Sequence, residues 1–190
     1  MYQVFNKEIS YIKNERIKRS LIIFLDKLPS YFYEIPASST GKYHPDFALG
    51  KSGLVRHTKV AVRIAVELFN NPSLTNFKND EKDLLIFSLI IHDGLKDGFI
   101  KGEYTVFEHP ILISNFIKEC KNDLELKDKE IDFISDVVIT HMGPWTKNYK
   151  GEEVLTPPKS KYQKFVHMCD YLASRKFLDV KFDNNDNIIY

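Results

Sequence analysis

The stretch Leu84-Leu85-Ile86-Phe87-Ser88-Leu89-Ile90-Ile91-His92-Asp93 joins a continuous apolar run to two chargeable side chains. Such continuity predicts a helix buried on nearly every side, and Asp80 is a good N-cap for it, so we expect a central helix from Glu81 to Asp93. Polar groups at the end of a buried segment are costly unless they are compensated. A divalent cation bound by imidazole nitrogens and carboxylate oxygens is the usual compensation.

Apolar residues recur at helical spacing on both sides of this central helix. We predict further helices over residues 7–28, 54–70, 110–120, 128–141 and 159–178. Two long irregular stretches, residues 29–53 and 143–158, are typical of functional loops. The tail, residues 180–190, predicts a small hairpin or a strand with a turn. The chain is therefore predicted to be an all-α, compact helical bundle with a possible short C-terminal hairpin.

Composition limits the class of protein. Of the 190 residues, 43% are hydrophobic, which is enough for a single domain over residues 1–190. The formal net charge is only +1, so no global field marks a dedicated nucleic-acid or membrane-surface binder. Cys120 and Cys169 form no CxxC pair, which favours a reducing compartment. Because no signal pattern and no apolar stretch of about 18 residues is present, we expect a cytoplasmic protein with no membrane partner.

A set of metal-competent side chains lies at or near the ends of the predicted helices, or on helices that could converge on the central one. Each residue alone carries little weight, because a single buried His or Asp is usually a satisfied polar group. Together they predict a cation site built from facing helices. The candidate ligands are His57, His92, Asp93, His109, His141 and Asp170.

The order of these residues resembles the HD-domain superfamily of metal-dependent phosphohydrolases, over roughly residues 36–178. Arg56-His57-Thr58 is similar to its first motif, Ile91-His92-Asp93-Gly94-Leu95-Lys96 to its HDxxK motif, and Cys169-Asp170 to its last. The closest motifs are those of the HD module of 3'-5' exoribonucleases and relaxase-associated proteins. The resemblance implies one metal held by His57, His92, Asp93 and Asp170, and a second held by Asp93, His109 and His141.

The ligand set also predicts a chemistry. It lacks thiolate, which favours one or two divalent ions of Mn, Fe, Co, Ni or Mg. Such ions lower the pKa of bound water. Joined to this chemistry, the resemblance implies hydrolysis of a phosphoester or phosphoanhydride, with Asp93 and Lys96 as the catalytic residues. Lys96 would meet a phosphate oxygen, although a solvated loop lysine is the alternative.

Further side chains are candidates for binding a substrate. Besides Lys96 these are His44, Trp145 and Arg175, with His44 equally interpretable as a turn residue packed on Tyr43. A small-molecule nucleotide is the expected partner, because the net charge suits a small ligand better than a long polyanion. The alternatives are a 3'-5' exonuclease or phosphodiesterase acting on short single strands or cyclic nucleotides, and a regulatory nucleotide-binding module with little turnover.

Overall fold

A computed structural model describes residues 1–38, 40–177 and 180–189. Its α-helices are α1 (Asn6–Ser10), α2 (Glu15–Lys27), α3 (Gly53–Phe69), α4 (Asn79–Ile91), α5 (His109–Glu119), α6 (Asp128–Val138) and α7 (Lys161–Ala173). Short 3-10 helices cover Tyr2–Phe5, Ser30–Tyr33, Asp46–Ala48 and Cys120–Asp123. The predicted all-α class is confirmed for the described residues.

α4 is the central helix, as predicted. All of residues 83–91 are buried, and the helix contacts α2, α3, α6 and α7. It begins one residue earlier than the predicted cap, because the Glu81 carboxylate accepts a hydrogen bond from the Lys78 backbone N–H at 2.7 Å. Asp80 is therefore a residue of the first turn and not the N-cap, which corrects that prediction.

The single helix predicted over residues 7–28 is wrong, because the chain breaks between α1 and α2. Asp83, on α4, accepts hydrogen bonds from the backbone N–H groups of Lys13 and Asn14 at 3.0 and 2.8 Å. The Asn14 side chain then caps α2 by accepting from the Arg16 N–H. A buried carboxylate on α4 thus satisfies donors that a continuous helix would have used internally.

Two other predicted helix ends also differ. α6 ends at Val138, so His141 is not its last residue but lies on the turns that follow. Gly143 has φ +67° in these turns, a left-handed conformation that favours glycine. α7 begins after Ser160, whose side chain accepts from the Gln163 N–H, and ends at Ala173. The predicted end at Leu178 lies outside the described residues.

The C-terminal tail forms a turn and no strand within its described part, residues 180–189. One antiparallel bridge joins Phe182 and Ile188. The tail is attached to α3, because Arg56 pairs with the Asp186 carboxylate at 2.7 Å and the Lys59 ammonium donates to the Asp186 carbonyl at 2.9 Å. In place of the predicted hairpin, the described tail forms a turn with one bridge, and this turn is bonded to α3.

Two remaining sequence expectations concern cysteines and membranes. Cys120 and Cys169 are both buried and unpaired. In the ranges that the structure describes, no helix combines the length and apolarity needed to cross a bilayer.

Candidate metal centre

The six candidate metal ligands converge at one end of α4. His57 lies on α3, His92 and Asp93 directly follow α4, and His109 begins α5. His141 follows α6, and Asp170 lies on α7. The structure brings their ligand atoms into two groups, each with all atoms within 4.8 Å of one another. The groups are His57, His92 and Asp170, and Asp93, His109 and His141.

Local backbone geometry orients three of the imidazoles in the same way. Each has its Nδ1 at 2.7 Å from the carbonyl oxygen of the residue three positions earlier. Because a carbonyl oxygen can only accept, Nδ1 must carry the hydrogen, and Nε2 of the neutral ring is left with its lone pair. A carbonyl behind a ligating histidine is a typical support for a metal. The pairs are His92 with Leu89, His109 with Val106, and His141 with Val138.

The lone pairs of the second group point at one another. His109 Nε2 lies 3.0 Å from His141 Nε2, and Asp93 Oδ1 lies 3.1 and 3.5 Å from these two atoms. Asp93 Oδ1 is buried and has no hydrogen-bond partner among the described residues, although His109 is close. Electron-rich atoms held so near each other without hydrogens between them repel, and a cation removes that repulsion. This donor set fits a divalent cation.

The first group is built around Asp170. Its Oδ1 lies 3.0 Å from His57 Nε2 and 3.6 Å from His92 Nε2. His92 Nε2 is also 3.6 Å from Asp93 Oδ2, so His92 stands between the two groups. His92 Nε2 is buried without a hydrogen-bond partner in the described part of the chain. The two groups therefore form one continuous cluster, joined where His92 approaches Asp93.

Burial and charge set the protonation of this cluster. Burial opposes ionisation of Asp93, but Lys96 and His92 outweigh it and hold the pKa of Asp93 well below its usual range. Burial likewise opposes ionisation of Asp170, but hydrogen bonds from histidines hold its pKa low. For His92, burial is outweighed by Asp93 and Asp170, which raise its pKa to about 9. Both carboxylates are thus ionised at neutral pH, and a cation would replace the extra proton on His92.

Lys96 supplies a positive charge directly beside the cluster. Its Nζ lies 2.5 Å from Asp93 Oδ2, on the side of Asp93 away from Oδ1. The side chain also lines the cavity that opens above the cluster. Lys96 is therefore placed to meet an anion that enters the cavity, and it is not a solvated loop lysine.

A cavity of about 600 Å³ exposes the cluster to ligands. The four sequence-predicted substrate residues, His44, Lys96, Trp145 and Arg175, all line it. Of the candidate metal ligands, Asp93, His109, His141 and Asp170 also reach its surface, whereas His57 and His92 do not line it.

His44 lies against the first group. Its ring centroid is 5.2 Å from that of His57, in an edge-on arrangement. Burial lowers the pKa of His44 to about 3, so its ring is neutral at physiological pH. His44 Nδ1 is buried and makes no hydrogen bond to any described residue.

Several lining residues were missed by the sequence reasoning. Thr105 and Phe107 come from the loop before α5, and Met142 from the turns after α6. No periodicity or motif marks them, because a loop contributes to a cavity through its path and not through its pattern. His167 also lines the cavity, and its Nδ1 donates to the His141 carbonyl at 2.7 Å.

Comparisons of this chain with protein-family models, with curated proteins and with solved structures gave no match.

Proposed function

We propose that this protein is a metal-dependent phosphohydrolase of the HD-domain type, acting on a phosphoester or phosphoanhydride of a nucleotide. The observation that carries the proposal is the convergence of His109 Nε2, His141 Nε2 and Asp93 Oδ1, with separations of 3.0, 3.1 and 3.5 Å. A site of this kind is unfavourable without a cation, and it lies at the surface of a cavity large enough for a small ligand.

The residues present fit two divalent ions. His57, His92 and Asp170 would hold one ion, and Asp93, His109 and His141 the other, with Asp93 between them. The nitrogen and oxygen donors favour Mn, Fe, Co, Ni or Mg. When bound, such ions lower the pKa of a coordinated water towards neutrality and so supply a nucleophile for attack on phosphorus.

The protein's own groups would contribute orientation and charge. The backbone carbonyls behind His92, His109 and His141 fix these rings, so little reorganisation accompanies catalysis. Lys96 reaches the cavity and would stabilise negative charge that develops on a phosphate oxygen. Its pairing with Asp93 keeps the ammonium at a fixed distance from the cluster.

The lining of the cavity supports a nucleotide as the substrate class. Lys96, Lys147 and Arg175 are its basic side chains, and Trp145 and Tyr171 are aromatic. Phosphate groups are bound by cations and bases by aromatic faces. Because Trp145 lies exposed at the cavity, phosphodiester hydrolysis at short oligonucleotide ends or in cyclic nucleotides is the second candidate.

Metal analysis combined with a substrate screen tests the proposal. Purified protein should contain up to two equivalents of a transition metal and, with Mn(II), release phosphate or a nucleotide from at least one compound in the screen. The screen should contain nucleoside mono-, di- and triphosphates, cyclic nucleotides and short RNA. A regulatory module would bind one of these compounds without turnover, and that result would contradict the hydrolase proposal.

A pair of aspartate variants provides the control. Asp93→Asn should abolish turnover and most bound metal, because the carboxylate that completes the group of His109 and His141 and adjoins His92 is lost. Asp97 lies in the same loop but does not line the cavity, so Asp97→Asn should keep both the turnover and the bound metal. Equal activity in the two variants would refute the assignment of the site.

A further inference from the structure

Trp145 is a partly exposed aromatic side chain held in a fixed position at the cavity. It is the only tryptophan in the chain, and 51% of it is exposed. Its ring stacks on Tyr171, with centroids 5.9 Å apart and planes at 20°. The Arg175 guanidinium in turn lies 4.2 Å from the centre of the Tyr171 ring. An indole supported in this way loses little conformational entropy when a ligand packs on it.

A short path of side chains leads from the candidate metal centre to this indole. His167 donates to the His141 carbonyl, and its ring centroid lies 6.1 Å from that of Trp145. The imidazole occupies the space beside Gly143, where an added Cβ would lie 2.1 Å from His167 Cε1. One imidazole thus lies between the His141 backbone and the Trp145 ring, and all three residues line the same cavity.

Two cationic side chains line the same cavity as the indole. Lys147 follows Trp145 in the same loop, and Arg175 follows α7. The only carboxylates in the described lining are Asp93 and Asp170, and both belong to the candidate metal centre. Lys147 has no ion-pair partner among the described residues, and Arg175 bonds only to Ser174 and a backbone carbonyl there. An anionic group of a ligand in the cavity would find both cations free of carboxylate partners there.

We propose that the substrate is a nucleotide whose base stacks on Trp145 and which carries a second phosphate, beyond the scissile one, bound by Lys147 and Arg175. This inference rests on the proposed function, because the scissile phosphate is placed at the candidate metal centre. A base together with two phosphates occurs in nucleoside diphosphates, and a dinucleotide with a 5'-phosphate offers the same groups beside a second base.

The fluorescence of the single tryptophan reports on this site directly. Protein as purified, with Mn(II), is titrated with ADP, the dinucleotide pApA, AMP, ribose 5-phosphate and pyrophosphate, and the emission is read on mixing. We expect saturable quenching by ADP or pApA, at roughly tenfold lower concentration than by AMP, and none by the two compounds without a base. Preference for ADP or for pApA identifies the source of the second phosphate.

Three results would overturn the inference. Quenching by ribose 5-phosphate equal to that by ADP would exclude stacking, and so would no quenching by any nucleotide at millimolar concentration. Equal affinity for AMP, ADP and pApA would exclude the second phosphate. Phosphate release is followed in separate samples, so that a protein that binds nucleotides without hydrolysing them fails the proposed function but not this inference.

Matched variants separate the two contributions, with binding measured by calorimetry. Trp145→Leu should weaken ADP binding roughly 5- to 150-fold, the range for loss of one stacked base, and leave pyrophosphate binding unchanged. Tyr149→Leu is the control, because Tyr149 is 91% exposed in the same loop and does not line the cavity. Equal losses in both variants would contradict stacking on Trp145.

The cations are tested in the same way. Lys147→Ala combined with Arg175→Ala should remove the preference for ADP or pApA over AMP. Lys150→Ala should not, because Lys150 lies in the same loop beside Tyr149 and outside the cavity lining. Thermal melting confirms that each variant is folded, and a preference that survives in the folded double variant would overturn the second-phosphate site.

Discussion

At the scale of single residues, Lys96 and Asp93 illustrate how one ion pair can serve two purposes. The ammonium contacts Asp93 Oδ2, while Asp93 Oδ1 faces His109 and His141. The carboxylate can therefore interact with a cation through one oxygen and with Lys96 through the other. The lysine is left partly exposed to the cavity, where an incoming phosphate would contact it.

Removal of the Lys96 ammonium should affect catalysis far more than metal binding. We expect Lys96→Ala to lower kcat/KM roughly 100- to 1000-fold, the usual loss when one preorganised group stabilising transition-state charge is deleted. Metal content should be retained, because Lys96 is not in either ligand group. Lys101→Ala, an exposed lysine in the same loop, is the control. A parallel loss of metal and activity in Lys96→Ala would assign it a structural role instead.

The raised pKa of His92 predicts the pH dependence of metal binding. Protonated His92 stabilises the metal-free fold below its unfolded pKa of about 6.5, and this contribution is lost as the pH rises through about 9. A cation must displace that proton, so Mn(II) affinity should increase by up to about tenfold per pH unit between pH 6.5 and 9. Calorimetry in buffers of different protonation enthalpy measures the released proton.

His44 provides the control for this titration. Its pKa is lowered to about 3, so it is neutral throughout that range. His44→Phe should therefore release the same number of protons on metal binding as the unsubstituted protein. Metal affinity that does not change with pH would show that His92 is already neutral in the folded protein.

The sequence was informative about residues whose type is chemically distinctive. Histidines and aspartates near helix ends could be selected as candidate ligands without knowing their distances, and the structure gathers all six. Thr105 and Phe107 could not be selected, because nothing in their chemistry distinguishes them from other loop residues. Their position at the cavity depends on the path of the loop before α5.

At the scale of elements, the local sequence pattern was sufficient to predict a helix whose burial is continuous. It was insufficient where a residue far away in the chain determines where a helix ends. α4 could be predicted from its unbroken apolar run. The break between α1 and α2 could not, because it depends on Asp83, 70 positions after Lys13. The turns after α6 likewise place His141 beyond the helix that its periodicity indicated.

Arg56 shows how one side chain of α3 organises two irregular segments. Its guanidinium donates to the Phe47 and Leu49 carbonyls at 2.5 and 2.9 Å and pairs with Asp186. The loop so fixed also carries His44, whose ring packs on His57. Arg56 thus connects the loop before α3 with the C-terminal turn, next to the candidate metal centre.

Loss of the contacts made by the Arg56 guanidinium should destabilise the fold. We expect Arg56→Met to lower the free energy of unfolding by about 3 kcal/mol, because several partly buried acceptors lose a charged donor. Arg19→Met should cost much less, since the pair of Arg19 with Glu125 is about half exposed. Urea denaturation of both variants provides the measurement. Similar losses of unfolding free energy in the two variants would show that the Arg56 contacts stabilise the fold no more than an exposed ion pair does.

At the scale of the whole molecule, the candidate metal centre connects elements that are far apart in the chain. Its ligands extend from residue 57 to residue 170 and come from or adjoin α3, α4, α5, α6 and α7. In the metal-free protein these helices bring the lone pairs of His109, His141 and Asp93 Oδ1 together at the end of the buried central helix. The packing of the apolar core must offset that cost, and a bound cation reverses it.

Metal binding should therefore stabilise the entire fold. A cation present at 1000 times its Kd adds about 4 kcal/mol, because it binds the folded state alone. For a chain of this size that corresponds to an increase in Tm of roughly 8–16 °C over chelator-treated protein, measured by calorimetry. Asp93→Asn should show little increase, because it removes the carboxylate between the two ligand groups, whereas Asp97→Asn should show the full effect. Identical melting with Mn(II) and with chelator would mean that the converging histidines hold no cation, since a bound ion cannot leave the stability of the folded state unchanged.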